Sequence, residues 1–312
     1  MHDGGCTRGG CATGKEHGVR GNGRASPRGI RGNPGEPARG NVRNVRGSGG
    51  RGGRRGTTAA AAYPRVRHYA EPVFTTHGPS LRELAVQALS SVERGYDLLA
   101  PKFDRTPFRT PDRMLDAVEE ALAQQEGGFG SGLDLCCGTG AGLGMLRRLC
   151  RDRVTGVDLS AGMLAEAARA HPEGVDLVRA DALALPERLW NSYDLAVSFG
   201  AFGHFLPAER PALFGGVHRA LRPGGVFAFP VGAPVPVTSP LWWMVAGFDS
   251  VMRVRNAVWR PPFVMYYRTF PFGPVRTDLE AAGFTVETVP LSPFGHREDG
   301  SPRWRLLLAR KP

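Results

Sequence analysis

Apolar positions along residues 80–309 switch repeatedly between a helical period and short continuous runs. Ser80 followed by Glu83 is a capping box. Leu81, Leu84, Ala85, Ala88, Leu89 and Val92 then share one helical face, which Gly95 ends. Tyr96 to Phe103 forms a second short segment. Thr110 and Pro111 give an N-cap and a proline at the first helical position, with Met114, Leu115, Val118 and Leu122 as the apolar stripe behind them. Gly127, Gly128 and Gly130 break that helix.

From there strands and helices alternate. Gly132 to Cys136 is a short buried strand, Gly142 to Cys150 a helix, and Arg153 to Asp158 a second strand. Ser160 caps a helix with Met163, Leu164, Ala167 and Ala168 turned inward. Val175 to Arg179 and Tyr193 to Phe199 are strands, the latter apolar almost throughout, as when both faces are covered. A helix carrying Leu213, Phe214, Val217 and Leu221 leads through Pro223, Gly224 and Gly225 to the strand Val226 to Val231. An aromatic-rich stretch runs to about Pro274, followed by a helix over Val275 to Ala282, Gly283, and strands over Phe284 to Val289 and Trp304 to Ala309. The connection between these two strands is too short for a crossover helix, so they are expected to be antiparallel. The alternation predicts an α/β fold: a Rossmann-like, doubly wound, seven-stranded, mainly parallel sheet with an antiparallel last strand and helices on both faces. Such sheets bind ligands at the carboxyl ends of their strands.

Composition changes the picture only at the amino end. Residues 1–60 hold 18 of the 43 glycines, and 12 Lys+Arg against 3 Asp+Glu, so they carry +9 of the formal +11. The basic character belongs to this tail. With almost no apolar side chains to bury, residues 1–63 are predicted to be disordered. Gly50 to Gly56, GRGGRRG, resembles Arg-Gly segments that contact RNA loosely, so weak nucleic-acid contact through residues 1–60 is an open partner. No apolar run follows the first charges as a secretory signal requires, and none reaches the ~20 residues of a membrane span, so a cytoplasmic protein with no membrane partner is expected. Five cysteines, with Cys136 and Cys137 adjacent, give neither a disulfide framework nor a paired Cys-x-x-Cys metal site.

The chemistry concentrates in LDLCCGTGAGLG, Leu133 to Gly144. A Walker loop needs Gly-Lys-Ser/Thr at its end, and no such pair follows. A dinucleotide loop needs G-x-G-x-x-G. The three registers that begin at Gly138, Gly140 and Gly142 place Leu143, Met145 and Arg147 at the third glycine, so all miss.

What remains, Asp134-x-x-x-Gly138-x-Gly140, resembles the first motif of the class I S-adenosylmethionine-dependent methyltransferases, written acidic-x-Gly-x-Gly-x-Gly, with Cys136 in place of the first glycine. Three further segments resemble the family: VTGVDLS ending a strand in Asp158, LVRADALALP placing Asp181 after another, and LRPGGVFAF at the turn into the fifth strand. The resemblance runs from about Tyr96 to Lys311. It implies S-adenosylmethionine as cofactor, with Asp158 accepting from both ribose hydroxyls, and Asp181 and the N–H of Ala182 meeting the adenine. It also implies Asp134, Cys136, Gly138, Gly140, Leu159, Met163 and Ser198 around the same ligand. The implied layout within residues 64–312 is a helical lid over 64–130, a cofactor-binding core over 131–231, a substrate-cap insert over 232–274, and a closing helix and strands over 275–312.

An Asn-Pro-Pro-Tyr segment, seen in amino-group and nucleic-acid methyltransferases, is absent after the fourth strand, where SFGA stands instead. His204 is the one titratable candidate for a general base beyond that strand. Phe202, Trp242, Trp243, Tyr266 and Tyr267 are the candidate aromatic contacts to a small-molecule methyl acceptor. An RNA or protein methyltransferase recruited through the basic tail, and a cofactor-binding regulator without turnover, are the alternatives.

Overall fold

A computed structural model describes residues 78–312 except Thr269. The tail expected over residues 1–63, and any nucleic-acid contact through residues 1–60, lie outside the described residues.

Seven strands form one sheet: β1 (Phe129–Leu135), β2 (Cys150–Asp158), β3 (Asp176–Arg179), β4 (Tyr193–Val197), β5 (Leu221–Gly232), β6 (Thr285–Pro290) and β7 (Trp304–Arg310). Their order is β3-β2-β1-β4-β5-β7-β6. The first five pair in parallel, and β7 lies antiparallel between β5 and β6, as expected from its short connection. The chain leaves β1 toward β2 on one side and returns to β4 on the other. That reversal opens a crevice beyond the carboxyl ends of β1 and β4.

Eight α-helices complete the described fold: α1 (Leu81–Leu89), α2 (Val92–Leu99), α3 (Asp112–Ala123), α4 (Ala141–Leu149), α5 (Ala161–Ala170), α6 (Arg210–Ala220), α7 (Pro240–Val258) and α8 (Phe272–Ala281). Strand residues divide between two cores with period two. Phe227, Phe229, Leu307 and Ala309 pack with Leu213, Phe214, Val217, Val275 and Leu279 from α6 and α8. Val226, Ala228, Leu306 and Leu308 share the opposite core with Met114, Val118, Leu143 and Leu146 from α3 and α4. Both faces are covered, hence the near-continuous apolar runs.

Several boundaries differ from the sequence expectation. Gly95 does not end the first helix. That helix stops at Leu89, where Ser90 turns extended, and Ser91 caps α2 by accepting from Arg94 N–H at 3.2 Å. Gly95 lies inside α2, and a side chain there is excluded because a Cβ would stand 2.8 Å from the Phe263 ring. The cap of α3 is Pro111 rather than Thr110, Gly130 lies within β1, and Ala168 faces solvent while Met163 and Ala167 are buried. The aromatic-rich stretch folds largely as α7, a 19-residue helix started by Ser239 and Pro240. Its end is tied to the α1–α2 junction, where Trp259 Nε1 donates to Leu89 O and Arg255 Nη2 donates to Ser90 O, both at 3.1 Å.

Phe214 is fully buried and meets Phe270 edge-on at 5.9 Å. Phe214→Ala is expected to cost about 3–5 kcal/mol and lower the melting temperature by on the order of 10 °C. Thermal unfolding followed by circular dichroism checks this, and a shift under 3 °C would contradict the packing described.

Candidate functional site

The loop after β1 turns through left-handed conformations at Cys136 (φ 59°), Gly138 (φ 53°) and Gly140 (φ 92°). Cys137 N–H donates to Val157 O at 3.0 Å, and Gly140 N–H to Cys137 O at 2.9 Å, which fixes the turn against β2. Gly140 is the residue from which α4 starts. No atom lies within 4 Å of where a Cβ on Gly138 would stand, so the main chain there is bare toward the crevice. Cys136 occupies a backbone region that suits glycine, and burial pushes its thiol pKa well up.

Asp134 lies beneath this loop and is 1 % exposed. A Cβ on Gly142 would stand 2.5 Å from its Oδ2, so the first turn of α4 rests on the carboxyl. Its Oδ1 has no hydrogen-bond partner, and burial, with Asp158 adding, raises its pKa well above the carboxylate range.

Asp158 ends β2. Its Oδ2 accepts from Gly138 N–H at 2.8 Å and its Oδ1 from Ser160 N–H at 2.9 Å. Burial raises its pKa while these two bonds oppose the rise. The Leu159 N–H also opposes the rise, and three donors leave the carboxylate part of its acceptor capacity. Leu159 beside it is exposed, and Met163 is buried on the core face of α5. Asp181, just past β3, is exposed and accepts from Leu183 N–H at 2.9 Å; Ala182 is buried. Ser198 is buried, and its hydroxyl donates to Leu135 O at 2.8 Å, joining the ends of β4 and β1.

The amino-terminal segment is fastened to the same strand ends. Asp97 Oδ1 accepts from Ser160 Oγ at 2.6 Å and from Gly162 N–H at 2.8 Å, adding a second cap to α5. Asp104 Oδ1 accepts from Thr139 Oγ1 of the glycine loop at 2.6 Å. Tyr96 Oη lies 2.8 Å from His204 Nε2, in the turn after β4. His204 Nδ1 lies 2.7 Å from Val264 O. A carbonyl only accepts, so Nδ1 carries the proton and Nε2 receives the Tyr96 O–H. Burial lowers the His204 pKa below 6.5. Burial likewise lifts Tyr96 above its ordinary 10, with Tyr267, Asp158 and Cys136 adding to the rise. The pair is therefore neutral near pH 7. Sequence reading singled out His204 but no partner for it, and Asp97, Asp104 and Thr139 carry no spacing signal that would find them.

The five expected acceptor contacts do not form one wall. Phe202 stacks on Phe270 at 4.2 Å and meets Phe229 at 4.6 Å, within the α6 and α8 core. Tyr266 is buried, its hydroxyl accepting from Asn256 Nδ2 at 2.8 Å under the Arg253 guanidinium. Trp242 is half-buried beneath Arg268, and Trp243 is 66 % exposed on α7. Tyr267 is exposed beside Phe248. Phe263, from the same aromatic-rich stretch, stacks on Tyr96 at 6.3 Å.

Residues 133–225 match a family model described as a methyltransferase domain. No curated protein sequence matches the chain. Among solved structures, an O-methyltransferase family protein from Burkholderia thailandensis is 18 % identical with a TM-score of 0.52, over 74 % of this chain and 67 % of its own. DhpI, solved with S-adenosylhomocysteine, is 22 % identical with a TM-score of 0.50, over 74 % of this chain and 98 % of its own. An S-adenosylmethionine-dependent methyltransferase from Mesorhizobium loti is 26 % identical with a TM-score of 0.44, over 63 % of this chain and all of its own. A glycine loop without a phosphate-binding lysine, an acid closing the second strand, the seven-stranded order and the matched segment agree, and residues 133–225 are a methyltransferase domain of the S-adenosylmethionine-dependent kind.

Proposed function

We propose that the chain methylates a small molecule with an aromatic or apolar part, and that Tyr96 and His204 take the acceptor's proton. The observation that carries this reading is the 2.8 Å hydrogen bond between Tyr96 and His204, with Nδ1 of His204 held on Val264 O. A small acceptor is favoured over a polymer because the two segments flanking this pair are tied together, through Trp259, Arg255 and the Gly95–Phe263 contact.

The residues at the strand ends suit the cofactor. The bare main chain at Gly138 and the remaining acceptor capacity of Asp158 are features a ligand with ribose hydroxyls would complete. In this reading Asp158 accepts from those hydroxyls, which is a strong contact because the acceptor is charged. Cys136, Gly138 and Gly140 let the backbone come close, Leu159 lies beside the ribose, and Asp181 with Ala182 N–H meets the adenine. Asp134 orders the loop, while Met163 and Ser198 support it from beneath.

When bound, S-adenosylmethionine supplies a methyl group made electrophilic by its positively charged sulfur. Tyr96 Oη donates to His204 Nε2 and keeps lone pairs for an O–H or N–H of the acceptor. During methyl transfer the acceptor's proton would pass to Tyr96 Oη and the Tyr96 proton to Nε2. His204 ends as imidazolium, steadied by its Nδ1–H bond to Val264 O. Alignment of the nucleophile supplies much of the remaining acceleration.

S-adenosylhomocysteine at 100 times its dissociation constant should stabilise the full chain by about 2.7 kcal/mol. Thermal shift is expected to rise by very roughly 5–10 °C in the parent and not in Asp158→Ala. An unchanged rise in that variant would remove Asp158 from the cofactor site. On an acceptor found by screening small phenols and amines, Tyr96→Phe should lower kcat roughly 10²–10⁴-fold and leave the S-adenosylhomocysteine shift intact. A parent-like kcat would sink the proton-transfer role. Protonated Nε2 cannot accept, and burial holds its pKa below 6.5, so kcat/KM should fall only as pH drops below 6.5 and be flat to higher pH on the acid side. An acid limb above pH 7 would point to another group.

A further inference from the structure

α7 presents an apolar face to solvent. Leu241, Trp243, Met244, Phe248, Val251, Val254 and Val258, with Trp259 just beyond, are each between 38 % and 77 % exposed. At 3.6 residues per turn the seven helical ones fall within roughly 160° of arc. Asp249, on the other side, and Met252, just past the edge of the arc, are buried. Met244, Gly247, Val251, Val254 and Val258 follow one another at alternating steps of three and four. That is the 3.5-residue seam along which one helix packs on another. Gly247 has open space where a Cβ would stand, so a partner backbone can approach there.

We propose that this face is the seam of a homodimer, with α7 packed antiparallel on α7 of a second copy about a twofold axis at Val251. Area supports a protein partner. The eight side chains leave on the order of 900 Å² exposed, against about 800 Å² per partner in a standard interface and about 300–600 Å² in the largest patch of a typical monomer. Charge favours a second copy over a lipid surface. A helix that lies on membranes is rich in free Lys and Arg. α7 has no lysine, Arg253 lies over the Tyr266 ring, and Arg255, the one charge within the arc, donates to Pro261 O and Ser90 O. The seam itself is uncharged, so two copies meet without an unpaired ion. The antiparallel arrangement also sets the helix dipoles head to tail. Val251 marks the middle of the stripe from Met244 to Val258, and an isologous contact sets it against its own copy.

Light scattering on the full chain during gel filtration, at about 50 µM and at about 1 µM, tests this. The wild type is expected at twice the 33.6 kDa chain mass at the higher concentration. Val251→Glu and Val251→Arg should each run as monomers, with circular dichroism unchanged because the position is exposed. An equimolar mixture of the two should return to twice the chain mass, since glutamate then meets arginine at the axis. A monomeric wild type would overturn the proposal, as would a dimer that both variants leave intact. Trp243→Glu serves as a second variant should either substitution at Val251 fail to fold. Sedimentation of a monomeric wild type with anionic phosphatidylserine vesicles would assign the face to a lipid surface instead.

Discussion

One carboxylate holds the cofactor end of the sheet together. Asp158 closes β2 and reaches two backbone N–H groups, one from the loop that follows β1 and one from the start of α5. Both bonds are made by the one side chain. Gly138 can offer its N–H only because the chain has turned left-handed there, and α4 can begin at Gly140 only because that turn is held. Asp134 supports the same loop from below without a hydrogen bond to Oδ1, so the loop rests on one satisfied acid and one unsatisfied one. Removing a partner from a buried polar group is costlier than never having placed it, which makes this arrangement intolerant of loss.

Onto this frame two further segments converge. Asp97 and Asp104 fix the amino-terminal helices to α5 and to Thr139, while Trp259 and Arg255 fix the far end of α7 to the same helices. Tyr96, His204 and Val264 form a chain of hydrogen bonds across three segments that are remote in sequence. Each bond is short-range, yet each requires a different part of the fold to be in place. The chemistry proposed for the pair thus depends on long-range assembly more than on local conformation.

Sequence reading reached the elements whose periods and punctuation are local. Strand alternation, the Ser80 capping box and the position of Asp158 at a strand end were all legible, because each is set by neighbours within a few residues. The break at Ser90 and Ser91 was missed because a continuous apolar stripe runs through it, and the glycine at 95 answers a tertiary contact with Phe263 rather than a helix end. The partner of His204 was not legible, since nothing in a spacing of 108 residues links it to Tyr96. The aromatic cluster was legible as composition but not as direction. Phe202 and Tyr266 turn into packed cores while Trp243 turns out to solvent, and that choice is made by what surrounds each position.

The segments that flank Tyr96 and His204 are attached before β1 and between β5 and α8, outside the run of strands that carries the glycine loop, Asp158 and Asp181. None of α1, α2 and α7 lies in the pairing that joins β1 to β2 and β4. The chain thus divides its labour along its length: the strands carry the glycine loop, Asp158 and Asp181, a helix outside them carries Tyr96, and the two parts are joined through bonds such as those of Asp97, Asp104 and His204.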